Sequence, residues 1–192
     1  MKYFDITAVR FSMFGAGITS PNGQVPKMQG SLLDVYTWMN SPRLLQLTHE
    51  LRRITNEEEQ KNFKKEKLPY VTFAGQFRYR NAEGLIQLSG LGCFDFDNLT
   101  GKGDVEEVRR VLMNDSFFET ELMFTSPRGN GVKWVTHFDL SRGDYAKWYI
   151  AVSNYLHTTY GLEADPLPKN IASACFLCYD SNLVINPIIA PY

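Results

Sequence analysis

The chain has 192 residues, with 20 Lys and Arg against 21 Asp and Glu, three Cys and 44% hydrophobic residues. That length allows one large domain or two small lobes with a proper core, and the apolar fraction excludes a disordered chain. No run approaches the roughly 18 apolar residues of a membrane helix, no signal-peptide pattern opens the chain, and sparse cysteines give no disulfide framework, so a soluble cytoplasmic protein with no membrane partner is expected.

In chain order, residues 3–14 alternate in part (Tyr3, Phe4, Ile6, Val9, Phe11) and predict a strand. Residues 15–30, rich in Gly, Pro, Asn and Gln, read as loop. Ser31 is placed to cap a helix reaching Met39, and Ser41-Pro42 starts a second one with Leu44, Leu45, Leu47, Leu51 and Ile54 at helical spacing. Residues 54–67 form a polar helical stretch or a linker. Leu68-Pro69 ends it, and YVTFAGQFRYR reads as a strand or hairpin. From residue 85 a strand runs into acid (LIQLSGLGCFDFD). Asp104 then caps a helix, FFETELMFT is a strand, SPRGNG a turn and VKWVTHFDL a strand. Asp144 caps a long helix that Gly161 stops, and SACFLCYD is the last strand.

The order of the second half is β-α-β-β-α-β, the ferredoxin-like or RNA-recognition-motif arrangement. The expected class is α+β: an N-terminal α/β lobe over 1–84 packed on an RNA-recognition-motif-like lobe over 85–192, together one unit. In that fold the sheet order is 4-1-3-2. One edge then gathers CFDFDN, TSPRGNGVK and EADPLPKN.

Asp95 and Asp97 lie two apart at a strand end, so both carboxylates project from one face while Phe94 and Phe96 point into a core. Adjacent carboxylates repel unless a cation sits between them, and hard oxygen ligands suit Mg2+ or Mn2+. An acidic turn with no metal has the same sequence. Ser126, Arg128, Gly129, Gly131 and Lys133 form a glycine turn with a hydroxyl and two cations, which can hold a triphosphate or be an ordinary hairpin. His137 shares a strand face with Lys133 and is a weaker candidate. Arg52, Arg53, Lys61, Lys64, Lys65, Lys67, Arg78 and Arg80 form a basic cluster, read first as a solvated helix end and loop. Within it Lys67, Arg78 and Arg80 are nucleic-acid candidates. Phe77, Tyr79, Trp134 and Tyr155 are candidates for base stacking, with core packing as the commoner use. Cys175 and Cys178, three apart on a strand, point to opposite faces and read as buried packing rather than a zinc site.

The ordered series hydrophobic-DFD, SPRGNGVK and YGLEADPLPKNIASACFLCYDSNLVINP resembles the archaeo-eukaryotic primase–polymerase superfamily. It is most similar to the domain N-terminal to virulence-protein-E-type and phage D5-type helicases of Bacteroides and mobile elements. KKEKLPYVTFAGQFRYR is similar to the stretch that family carries upstream. The resemblance implies metal-dependent nucleotidyl transfer in replication of such elements. Asp95 and Asp97 would hold Mg2+ or Mn2+, and Ser126 through Lys133 would hold the nucleotide triphosphate, with Lys133 where most members have His. A single-stranded DNA template and a helicase, in the same polypeptide or a separate one, would be the partners. The third motif departs from the pattern: Asn170 stands for its acid and Ser173 for its Arg. Asp165, five residues before Asn170, is the substitute carboxylate, and Asn170 itself is a weaker metal ligand. Asp180 lies at the far end of the last strand. The alternative is a non-catalytic module that binds a nucleotide or single-stranded DNA beside a helicase.

Overall fold

Residues 91–96 set the plan of the molecule, because their alternation feeds two separate cores. The computed structural model describes residues 5–99 and 102–190. Tyr3 and Phe4, expected to open the first strand, lie outside the described residues. The elements are β1 (Phe11–Phe14), β2 (Met28–Gly30), α1 (Leu32–Met39), α2 (Pro42–Arg53), α3 (Glu57–Lys67), β3 (Tyr70–Thr72), β4 (Gly75–Phe77), β5 (Leu85–Leu88), β6 (Leu91–Phe96), α4 (Lys102–Met113), β7 (Leu122–Thr125), β8 (Val132–His137), α5 (Tyr145–Tyr160), β9 (Cys175–Phe176) and β10 (Val184–Ile185).

The helix starts have local causes. Ser31 and Asp34 make a reciprocal capping box on α1. Ser41 caps α2, with Pro42 in its first turn. Asp144 caps α5 and Gly161 closes it. The polar stretch after residue 54 is a helix, α3, capped by Asn56, with three Glu in its first turn and three Lys in its last, the arrangement a helix dipole favours. Asp104 lies inside the first turn of α4 rather than capping it.

β6, β7 and β8 with β10 form an antiparallel sheet in the order β10-β7-β8-β6, while β2, β1, β3 and β9 form a second one. β4 and β5 pair separately. One face of the β6 sheet carries Phe94, Phe96, Met123, Val132 and Trp134, covered by α4 and α5. The other face carries Leu91, Cys93, Leu122, Phe124 and Val135 and packs on the N-terminal half of the chain. The sheet is therefore a middle layer with both faces buried.

Several expectations are corrected. Strands 1, 3 and 2 of the expected 4-1-3-2 order do lie side by side as β6, β8 and β7, but the fourth does not join them. β9 pairs with β3 instead, Tyr70 against Phe176. The free edge of β6 is met by the loop after α5, whose Asp165 N–H donates to the Asp95 carbonyl at 2.8 Å. β10 takes the far edge, against β7. The expected loop over 15–30 contains β2, which pairs with β1. The expected strand over 85–97 is broken at Ser89-Gly90 into β5 and β6. The residues ahead of β7 are a turn, because the Asp115 carboxylate accepts the N–H groups of Phe117 and Phe118.

Candidate functional site

Phe94 stacks on Tyr149 in the helix-covered core, ring centroids 4.5 Å apart. The alternation of β6 then turns Asp95 the other way, toward the N-terminal half. Directly across the ladder from Asp95 is Lys133 of β8. The two form an ion pair, with side chains only 15% and 11% exposed. Burial raises the Asp95 carboxyl above its ordinary pKa; Lys133 opposes this, and the charges of Asp97 and Asp165 add to it. Burial alone would weaken the Lys133 ammonium, but Asp95 outweighs that and holds it well above the ordinary range. Asp97, one step further on the same face, is exposed.

The pair uses only one Asp95 oxygen. Oδ1 is buried and has no hydrogen-bond partner among the described residues. The same holds for Ser126 Oγ and Asn130 Oδ1, both in the turn between β7 and β8. Buried polar atoms without partners are uncommon, and three near one strand end mark a place built to meet something polar.

The turn closes through Ser126 N–H to the Gly131 carbonyl and Gly129 N–H to the Ser126 carbonyl, both 2.8 Å. Gly129 has φ +86°, which a side chain would strain. Gly131 is required by contact. A Cβ there would lie 2.5 Å from the Phe96 carbonyl oxygen, 3.0 Å from Asp97 Oδ1 and 3.2 Å from Ser126 Oγ. Asp97 is thus in direct contact with the glycine turn, and Asp95 meets Lys133 where that turn enters β8, so the two features adjoin as the sequence leads one to expect.

The loop after α5 completes the site. Asp165 is anchored by its N–H to Asp95 and by the Tyr149 hydroxyl, which donates to its carbonyl at 2.7 Å. One Asp165 carboxylate oxygen accepts Leu167 N–H at 2.9 Å. Asn170 Oδ1 accepts Ala172 N–H at 2.9 Å. A cavity of about 30 Å³, room for one water or ion, lies among Cys93, Asp95, Lys133, Asn170, Ser173 and Cys175. Among the described residues no three His, Cys, Asp or Glu side chains are grouped so as to hold a metal ion by themselves.

Other candidates lie elsewhere. His137 is at the opposite end of β8, paired with Leu91. Phe77 and Trp134 are fully buried, and the Tyr155 hydroxyl donates to Asp115. Arg80 is half-buried over the Tyr70 ring and donates to the Ala172 carbonyl. Arg78 and Lys67 are exposed. All three cysteines are free and buried, consistent with packing, and Cys93 Sγ lies 3.8 Å from Cys175 Sγ. Asp180 is buried against Arg109.

Sequence reasoning missed two cations. Arg52, at the end of α2, donates to the carbonyls of Pro127 and Ser126 at 3.1 and 3.3 Å and lies against Gly129. Lys64 of α3 is half-buried. Desolvation lowers its pKa, Arg128 and Lys133 push it further down, and Asp97 and Asp95 oppose. Both belong to the basic cluster read from the sequence; what the linear pattern lacks is their folding back onto a turn more than sixty residues later. Together the residues offer an unpartnered carboxylate oxygen to a cation and a ring of Arg and Lys to an anion.

The model of the BT4734-like, N-terminal domain family matches residues 63–184, more than half of the chain, and the chain belongs to that family. No curated protein and no solved structure matches it.

Proposed function

We propose that this member of the BT4734-like N-terminal family is a primase–polymerase-like domain that binds a nucleoside triphosphate with Mg2+ or Mn2+ and carries out nucleotidyl transfer on a single-stranded template. One observation carries the reading: Asp95 Oδ1 is buried and has no partner among the described residues, while Asp97, on the same strand face, lies against Gly131 of the cationic glycine turn. The three strands β6, β8 and β7 in the order expected of a ferredoxin-like lobe are in keeping with it.

The donor set fits a divalent ion that arrives with its nucleotide. Mg2+ is ordinarily held by one or two carboxylates plus substrate phosphates and water, so a cage of three protein ligands is not needed. Asp95 and Asp97 would hold it, with Asp165 adding negative charge nearby. When bound, such an ion lowers the charge barrier between an attacking hydroxyl and a triphosphate. The chain's own residues do the rest. Lys133 opposes the effect of burial on the Asp95 carboxyl and holds it in place. Arg128, in the turn between β7 and β8, presents positive charge to phosphate. Arg52 holds the carbonyls of Ser126 and Pro127 on the side of α2.

A second reading has its own observation. Asn170 and Ser173 line the cavity beside Asp95 and Lys133, where the resemblance leads one to expect an acid and an Arg. That favours a module that binds nucleotide or single-stranded DNA without transferring it. Primer synthesis and extension on a single-stranded template, with Mn2+ or Mg2+, separates the two. Nucleotidyl transfer predicts product with the wild-type protein and none with Asp95→Ala/Asp97→Ala. Metal-dependent nucleotide binding without product supports the binding module, and product indifferent to the double substitution overturns both assignments of the acid pair.

A further inference from the structure

We propose that a pocket on the N-terminal half, between β1, α1, α2 and the start of β3, binds one nucleotide unit of a single-stranded nucleic acid. This rests on the reading above that the substrate is nucleic acid, and it adds a place where the strand is held. The pocket has a volume of about 460 Å³, inside the roughly 300–1,000 Å³ of small-ligand sites. Its lining combines Trp38, Leu44 and Pro69 with Arg43 and Lys67. Trp38 is half-buried: part of its ring packs on the core and the rest is open to the pocket. Arg43 and Lys67 are exposed, and neither forms an ion pair or side-chain hydrogen bond among the described residues.

A flat ring in one pocket with two unpaired cations matches a base with its phosphates: the base stacks and the cations track the backbone. An acidic peptide would use the cations and leave the indole and the apolar wall without a counterpart. α3 gives the pocket a direction. Lys67 lines it, and Lys64, three residues earlier on the same helix face, lies in the field of Asp95, Asp97, Arg128 and Lys133. The basic face of α3 therefore runs from the pocket toward the acid pair, as a strand fed to that site requires.

The test is fluorescence anisotropy with a labelled short oligothymidylate, alongside a separate titration of Mn2+ with a deoxynucleoside triphosphate. Arg43→Glu/Lys67→Glu should weaken oligonucleotide binding about tenfold or more and flatten its salt dependence, since phosphate contacts release counterions. Trp38→Leu should weaken it about tenfold, the size of one lost base stack. The charge reversals sit at exposed positions, so they test the pocket even if Trp38→Leu fails to fold. Nucleotide binding with Mn2+ should be unchanged in the charge-reversal variant. Equal oligonucleotide affinity in wild type and charge-reversal variant, or no oligonucleotide binding by wild type, overturns the pocket and leaves the acid-pair site standing. Oligonucleotide binding that responds to these variants while no Mn2+–nucleotide binding is seen supports the pocket and removes the nucleotidyl-transfer reading.

Discussion

Among the described residues two ion pairs are buried, Arg109–Asp180 beside α4 and Lys133–Asp95 on the face of β6 turned toward the N-terminal half. In the first, every oxygen is used. Asp180 Oδ2 takes Arg109 and the Thr125 N–H, Oδ1 takes the Asn182 N–H, and Arg109 also reaches the Asn182 carbonyl. It ties α4, the end of β7 and the segment before β10 together. In the second, Asp95 keeps a buried oxygen without a partner among the described residues, and so do Ser126 and Asn130 in the turn between β7 and β8. A fully satisfied buried pair is scaffold. An unsatisfied one stores a cost that a bound ligand removes, which makes it the better candidate for chemistry.

The comparison predicts that the two acids fail differently. Asp180→Ala strands Arg109 and should cost about 3–5 kcal/mol in urea unfolding, while nucleotide affinity of the folded fraction stays the same. If it is nucleotide affinity that collapses with stability intact, the two roles are reversed. Gly131→Ala should cost about 1–3 kcal/mol by overpacking against the Phe96 carbonyl and should also weaken nucleotide binding, because strand end and turn separate. Arg52→Ala, losing two hydrogen bonds at an exposed side chain, should cost only about 1 kcal/mol, yet reduce nucleotide affinity by freeing the turn. Unchanged affinity in a folded Arg52→Ala protein would leave Arg52 with a purely structural role.

The smallest effect is a titration. With its folded pKa raised by burial, Asp95 favours the folded state fully below the ordinary carboxylate range, and that contribution is lost as pH rises through the folded pKa. Carbon-13 NMR of the carboxyl should give a midpoint above 3.8, the ordinary value. Lys133→Met should move it further up, and Mg2+ with nucleotide should move it down. A midpoint indifferent to Lys133 would mean that the ion pair does not form in solution.

Local signals carried much of the fold. Ser31, Ser41, Asp144 and Gly161 mark helix ends by capping chemistry, and all four act at those ends. The i, i+2 rule separated Phe94 and Phe96 from Asp95 correctly, since it depends only on strand geometry. What the rule lacks is the second layer: it places Asp95 on the other face without saying that the N-terminal half covers that face too. The burial of Asp95 and the contact of Cys93 with Cys175 follow from that layer, while the pairing of Asp95 with Lys133 follows from the register of β6 on β8. The placement of the fourth strand differs from the expectation for a related reason. Cys175, Leu177 and Cys178 are buried among the N-terminal core, and nothing in their local pattern says which sheet they join. Arg52 and Lys64 look like solvated charges in a linear reading because their partners are distant in sequence.

The central claim is that acid pair and glycine turn form one nucleotide site. A crystal of the chain soaked with Mn2+ and a deoxynucleoside triphosphate tests it most directly. The account predicts an anomalous Mn2+ peak against Asp95 and Asp97, with the triphosphate along residues 126–133. Nucleotide bound at another face, with no Mn2+ at Asp95, would contradict it.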